Sequence, residues 1–317
     1  MRSAAGPAWN AGAGRVREPR GRAASQLLRA MQSMRVAPYV LLLPALTLVG
    51  LIAFYPVYYA VDISLYQTKF LQKTAFVGLA QYARLLTSPD FLRALGTSLL
   101  YALGSLALTL PLGMAFALLL NRPIRFKSVF RTILIIPWTL SQTVAGLLWL
   151  WLLNPSYGPI KYVLDQLGFG QFLFLSSADW ALPILVLVNT WMTFPLPMIL
   201  FQAALQTVPQ ELYDAAQMDG CTAWTSFWGV TLPFIQNSVM ATAIMTTLHF
   251  FNMVTLIYVM TGGGPLDSTQ TLSVRVFLDA FVNFKVASGA AVGMVIFLLN
   301  IVFSLFYIRV LRRGDLY

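Results

Sequence analysis

A chain of 317 residues with 58% hydrophobic and only 10% charged side chains is not an ordinary water-soluble globule, where about a quarter of residues are charged. Its formal charge of +10 has no folded basic module to carry it, which argues against a nucleic-acid partner. The single cysteine, Cys221, excludes an internal disulfide and a cysteine-based metal cluster, and no metal site is expected.

Residues 1–37 are rich in Arg, Ala and Gly without apolar periodicity, and their composition predicts a disordered basic tail in which Met31 and Met34 are alternative starts. Six runs follow that are long enough to cross a bilayer, near Tyr39–Val61, Leu95–Leu120, Thr132–Leu153, Trp180–Gln202, Ser238–Met260 and Ala287–Ile308; none contains Asp, Glu, Lys or Arg. The first is too long for a signal-peptide core and lacks a cleavage site, so it reads as an uncleaved anchor. The fold class expected is an all-α membrane protein with six transmembrane helices.

Between these runs, segment 62–94 reads as a short amphipathic helix at the interface. The loop Arg122–Arg131 is basic and suits a lipid surface. Segment 154–179 turns early at Pro155, Gly158 and Pro159, and 261–286 opens on the turn-prone Thr261-Gly262-Gly263-Gly264-Pro265. Fourteen of the 21 basic residues fall on the side of the two termini and seven on the other, so the termini and the 206–236 loop are expected to be cytoplasmic. Residues 313–317 form a second short cytoplasmic tail.

The 206–236 loop is unlike a plain connection. Pro209 suits a first helical turn, Glu211 and Asp214 lie where the helix dipole favours negative charge, and Gly220 is placed to end the helix in a left-handed residue. Pro233 precedes the next apolar run. A stiff acidic helix-turn-helix at the membrane surface is a lever that a partner protein can grip.

Asp214-Ala215-Ala216, Asp219-Gly220 and Leu232-Pro233 together resemble the "EAA" loop of the membrane subunits of ABC importers, with Asp214 in place of the usual Glu and Asn237 where a second Pro is common. The resemblance extends over about residues 38–312 through "LLPAL" (42–46), "FVGLAQY" (76–82), "FRTILIIPW" (130–138), "NPSYGPI" (154–160), "VNTW" (188–191) and "TGGGP" (261–265). These look like the carbohydrate-uptake branch, and most like its first permease of the maltose and glycerol-phosphate type. The resemblance implies the type I importer permease fold in the prokaryotic inner membrane, with Glu211, Asp214, Ala215, Ala216, Asp219, Gly220 and Pro233 in the ATPase-coupling loop. It implies as partners a second homologous permease, two copies of an ABC ATPase and an extracytoplasmic solute-binding protein. The solute would be a sugar or related polyol such as a glycerol phosphate.

A Walker A loop needs Gly-Lys-Ser/Thr, and none of the five lysines, at 69, 73, 127, 161 and 285, follows a glycine. The spans hold His249 as their one ionisable group of the kind used in proton relays. Energy is therefore expected from a partner that binds ATP and Mg; the chain itself is expected to bind no cofactor and to be no enzyme. Thr246, His249, Phe250 and Met253 share one helical face by their i, i+3, i+4, i+7 spacing. The resemblance makes this face part of the substrate pathway and, aligned through Trp191 and Pro195, adds Gln142, Met192, Thr193 and Leu196. Aromatic and apolar walls with a few fixed polar groups suit a sugar. The alternatives weighed are a stand-alone secondary carrier or channel, which predicts an inverted repeat that is not seen, and a serine–histidine membrane protease pairing Ser288 with His249.

Overall fold

The computed structural model describes residues 37–168 and 173–314. The basic tail up to residue 36 and the last three residues lie outside these. Among the described residues, Ala37–Tyr58 is one helical segment, and from Tyr59 the remaining elements pack as a second unit. The fold is mostly helical, as expected, with one small β-ribbon.

Helix α1, Ala37–Ser64, contains Pro44 and Pro56. Where an amphipathic helix was expected next, the chain first makes an antiparallel hairpin of β1 (Tyr66–Lys69) and β2 (Gln72–Phe76), pairing Tyr66 with Phe76 and Lys69 with Gln72 around a bulge at Gln67/Thr68. The alternation here is too short to read as a strand pair. The Lys73 ammonium donates to Asp62 at the end of α1, and this bond holds the Lys73 pKa above the usual lysine range. The short helix follows as α2, Ala80–Thr87.

Helix α3 runs from Pro89 to Asn121, six residues earlier than the apolar run that announced it. The reason is a strong start signal: the Ser88 hydroxyl accepts from the Phe91 N–H at 3.2 Å, Pro89 stands at the first position and Asp90 in the first turn. At 1.5 Å per residue α3 is about 50 Å long, more than the bilayer core of about 30 Å. It is the central post of the second unit. Gly113 lets it approach the helix that starts at Pro195 closely: a Cβ there would lie 2.9 Å from Pro197 Cβ and 3.1 Å from the Met198 backbone nitrogen.

Three of the six expected spans are single helices: α1, α3 and α14 (Val286–Gly314). The other three are broken, which corrects the continuous runs read from the sequence. Helices α4 (Lys127–Thr139) and α5 (Gln142–Leu152) meet at 96°, α7 (Ala178–Thr193) and α8 (Pro195–Leu205) at 46°, and the helix ending at Phe251 meets α12 (Thr255–Thr261) at 44°. Counting each pair as one span gives six. The causes are local. Pro137 lies in the last turn of α4, the Thr139 hydroxyl donates back to the Ile136 carbonyl at 2.8 Å, and Leu140 and Ser141 are extended. Pro195 has no N–H to continue α7. The Asn252 side chain donates to the Leu248 carbonyl at 2.7 Å and caps the helix end.

The short helix α6 covers Pro159–Gln166, α9 covers Gln210–Met218, and α10 (Ala223–Ser226) passes through a wide turn, Phe227–Thr231, into α11 (Leu232–Phe251). Helix α13 (Leu272–Phe277) continues into a similar wide turn, Leu278–Val282. Three buried apolar clusters hold the second unit. One centres on Tyr101, Leu185, Phe250 and Leu256, one on Leu120, Met198, Phe201 and Ile235, and one on Phe91, Leu272 and Val292.

Candidate functional site

The acidic loop folds as a capped lever. Pro209 is the N-cap, one position before the first turn where the sequence suggested it, and α9 starts at Gln210 with Glu211 in the first turn. The far end closes with two hydrogen bonds: Cys221 N–H donates to the Ala216 carbonyl at 2.9 Å and Gly220 N–H to the Gln217 carbonyl at 3.0 Å. That pair is a Schellman turn, and it requires the left-handed residue that Gly220 supplies at φ +79°. A Cβ at Gly220 would meet nothing within 4 Å. The cost of a side chain there is therefore conformational within this chain, and the space outside it is open.

Helix α9 has two sides. Tyr213 and Ala216 face the bundle, with the Tyr213 hydroxyl 3.1 Å from Thr231 Oγ1. Glu211, Asp214, Ala215 and Met218 share the outward side by their i, i+3, i+4, i+7 spacing, and Met218 is 89% exposed. Asp219 is also exposed, and Asp214 accepts from the Gln210 amide at 3.2 Å. An almost fully exposed methionine beside two carboxylates is a surface suited to another protein. Pro233 sits just inside α11. The wide turn before it accommodates its missing N–H: Leu232 N–H reaches back to the Phe227 carbonyl, five residues away.

A second feature lies where the broken helices meet. A cavity of about 360 Å³ is lined by Trp138, Leu140 and Gln142 from the α4–α5 break, by Met192, Thr193 and Leu196 from the α7–α8 break, and by Met245, Thr246, His249 and Phe250 from the last turns of α11. Irregular backbone at membrane depth is tolerated where it lines a cavity, and discontinuous helices are a common way to build a solute site. Gln142, Met192, Thr193, Leu196, Thr246, His249 and Phe250, seven of the eight pathway residues expected from the sequence, share this wall. Met253 does not. Helix α11 ends at Phe251, so the i+7 position falls beyond the break, and Met253 is buried at 2% exposure in the core with Leu256 and Ile257. Trp138, Leu140 and Met245, which also line the cavity, are not among the pathway residues expected from the sequence.

The chemistry of the wall is neutral. The Thr193 hydroxyl donates to the Asn189 carbonyl at 2.6 Å and the Thr246 hydroxyl to the Thr242 carbonyl at 2.8 Å. Both oxygens therefore keep lone pairs free as acceptors. The Gln142 amide and the His249 imidazole add donors and acceptors, and Trp138 and Phe250 add flat faces. No Asp, Glu, Lys or Arg lines the cavity. Ser288 and His249 do not meet: Ser288 donates to Asp279 at 2.7 Å, at the start of α14.

A family model described as "Binding-protein-dependent transport system inner membrane component" matches residues 109–313. The trehalose/maltose transport system permease protein of Thermococcus litoralis is 32% identical over 275 residues, covering 86% of this chain and 93% of that protein. The sulfoquinovosyl glycerol transport system permease protein of Agrobacterium fabrum is 31% identical over 283 residues, covering 89% and 92%. The fold is shared with a bacterial ABC transporter involved in the import of the acidic polysaccharide alginate, with a TM-score of 0.77 at 22% identity over 91% of this chain and 99% of that one. Carried by the family match, by relatives spanning nearly the whole chain and by the shared fold, the conclusion is that this chain belongs to the binding-protein-dependent transport system inner membrane components, the permease subunits of ABC importers.

Proposed function

We propose that this permease forms one half of the translocation pathway of an ATP-driven importer for a neutral carbohydrate or related polyol. The observation that carries the reading is the uncharged cavity where three broken helices meet: hydroxyl acceptors at Thr193 and Thr246, amide and imidazole at Gln142 and His249, and aromatic faces at Trp138 and Phe250. Such a wall suits C–H faces and hydroxyls and gives a phosphate or carboxylate no counter-charge. The name of the trehalose/maltose relative supports the same class.

A second, homologous permease completes the pathway, and an extracytoplasmic binding protein delivers the solute. Two copies of a cytosolic ATPase grip the coupling loops of the two permeases, in this chain the outward side of α9 through Glu211, Asp214, Ala215 and Met218, with the Gly220 turn against the ATPase surface. ATP and Mg belong to that partner. The termini and the 206–236 loop are cytoplasmic in this reading, in keeping with the distribution of Lys and Arg. The test is uptake by cells carrying the four components, set against cells with alanine at Thr246 and at His249. Retained binding-protein-stimulated ATPase activity with reduced uptake supports the pathway role; normal uptake by both variants removes it.

A further inference from the structure

At the end of α3 opposite the acidic lever, α2, α13 and α14 enclose a recess of about 240 Å³ whose polar lining includes Gln81, Arg84, Ser88, Arg275 and Ser288. Two guanidinium groups line it, and neither is fully matched. Arg84 is exposed and has no ion pair among the described residues. Arg275 is largely buried, its side chain 18% exposed; its Nε lies 4.0 Å from Asp279 Oδ2, beyond hydrogen-bond range, and that oxygen already accepts from the Ser288 hydroxyl at 2.7 Å. The Arg275 Nη1 is buried with no partner. A buried guanidinium nitrogen with no hydrogen-bond partner, beside a second arginine with no ion pair, makes a recess suited to an anionic group.

The setting indicates where the anion comes from. On α2, Gln81 and Arg84 lie on one side at about 100° per residue, with Ser88 at the C-cap beyond them, and the exposed Leu86 marks the opposite side. The recess therefore opens away from the apolar stripe that would meet lipid tails. We propose that it receives an acidic side chain of the binding protein and so fixes the docked orientation from which solute is released. This rests on the importer reading above.

The test uses the complete complex, reconstituted with its ATPase, second permease and binding protein, and reads ATPase activity against binding-protein concentration. Because Arg84 is exposed, Arg84→Glu leaves the fold intact. It is expected to raise the half-maximal concentration by roughly tenfold while leaving the maximal rate unchanged. Raising salt should weaken docking for the parent complex more than for Arg84→Glu. An unchanged half-maximal concentration overturns the proposal. So does a result in which Arg84→Glu abolishes only a dependence on anionic phospholipid, or only stabilisation by inorganic phosphate; either assigns the recess to a headgroup or a free ion. A parent complex that the binding protein does not stimulate at all removes the importer reading itself, and the docking proposal with it.

Discussion

Gly220 separates two ways in which the lever can fail. The Schellman turn at the end of α9 holds this residue at φ +79°, where an L side chain costs about 1–2 kcal/mol. A loss of that size shifts the closed turn against its frayed forms by roughly 5–30-fold. Within the chain there is no further penalty, because a Cβ at this position meets nothing within 4 Å. If backbone conformation were the whole story, Gly220→Asn would outperform Gly220→Ala, since asparagine enters the left-handed region more readily. If the ATPase occupies the open space, side-chain bulk adds a penalty, and uptake should fall in the order Gly, Ala, Asn, with Gly220→Asp at background. The assay is uptake of labelled solute at matched membrane levels, with co-purification of the ATPase read on the same samples. Asparagine performing as well as alanine, or better, would refute a partner pressed against this turn.

Other expectations follow from single contacts. Tyr213→Phe removes the hydroxyl 3.1 Å from Thr231 that ties the lever to the bundle; it should cost about 1 kcal/mol and lower ATPase stimulation with the permease still assembled. Gly113→Ala would place a methyl 2.9 Å from Pro197 and should destabilise the α3–α8 contact by about 1–3 kcal/mol, seen as a lower melting temperature in detergent, whereas Gly293→Ala, inside α14 with a Cβ that meets nothing within 4 Å, should melt no lower than the parent. Phe250→Ala removes a cavity face from a residue only 2% exposed, so uptake should fall severalfold together with a stability loss of about 3–5 kcal/mol; Thr246→Val keeps the shape, removes the acceptor, and should lower uptake alone.

Much of this was written in short-range sequence. The lever is local: Glu211 near its start and Gly220 at its end sit where helix chemistry requires them, so their spacing was readable without tertiary information. The face Thr246, His249, Phe250 was readable for the same reason, as long as the helix continued. Met253 was misplaced because α11 stops at Phe251, and nothing in an unbroken apolar run announces that Asn252 will cap it. The 96° break after Thr139 was hidden likewise: Pro137 is tolerated inside many membrane helices, and the departure becomes visible only when Leu140 and Ser141 are seen extended. The hairpin at Tyr66–Phe76 is stabilised by tertiary ties such as Lys73 to Asp62, and by an alternation too short to stand out.

The most direct test of the account is transport by purified components in proteoliposomes. The chain alone should neither hydrolyse ATP nor move solute. With the second permease and the ATPase it should accumulate a neutral sugar or polyol only when ATP and loaded binding protein are both supplied. Solute movement by this polypeptide alone, without ATP or binding protein, would contradict the account and make it an independent carrier.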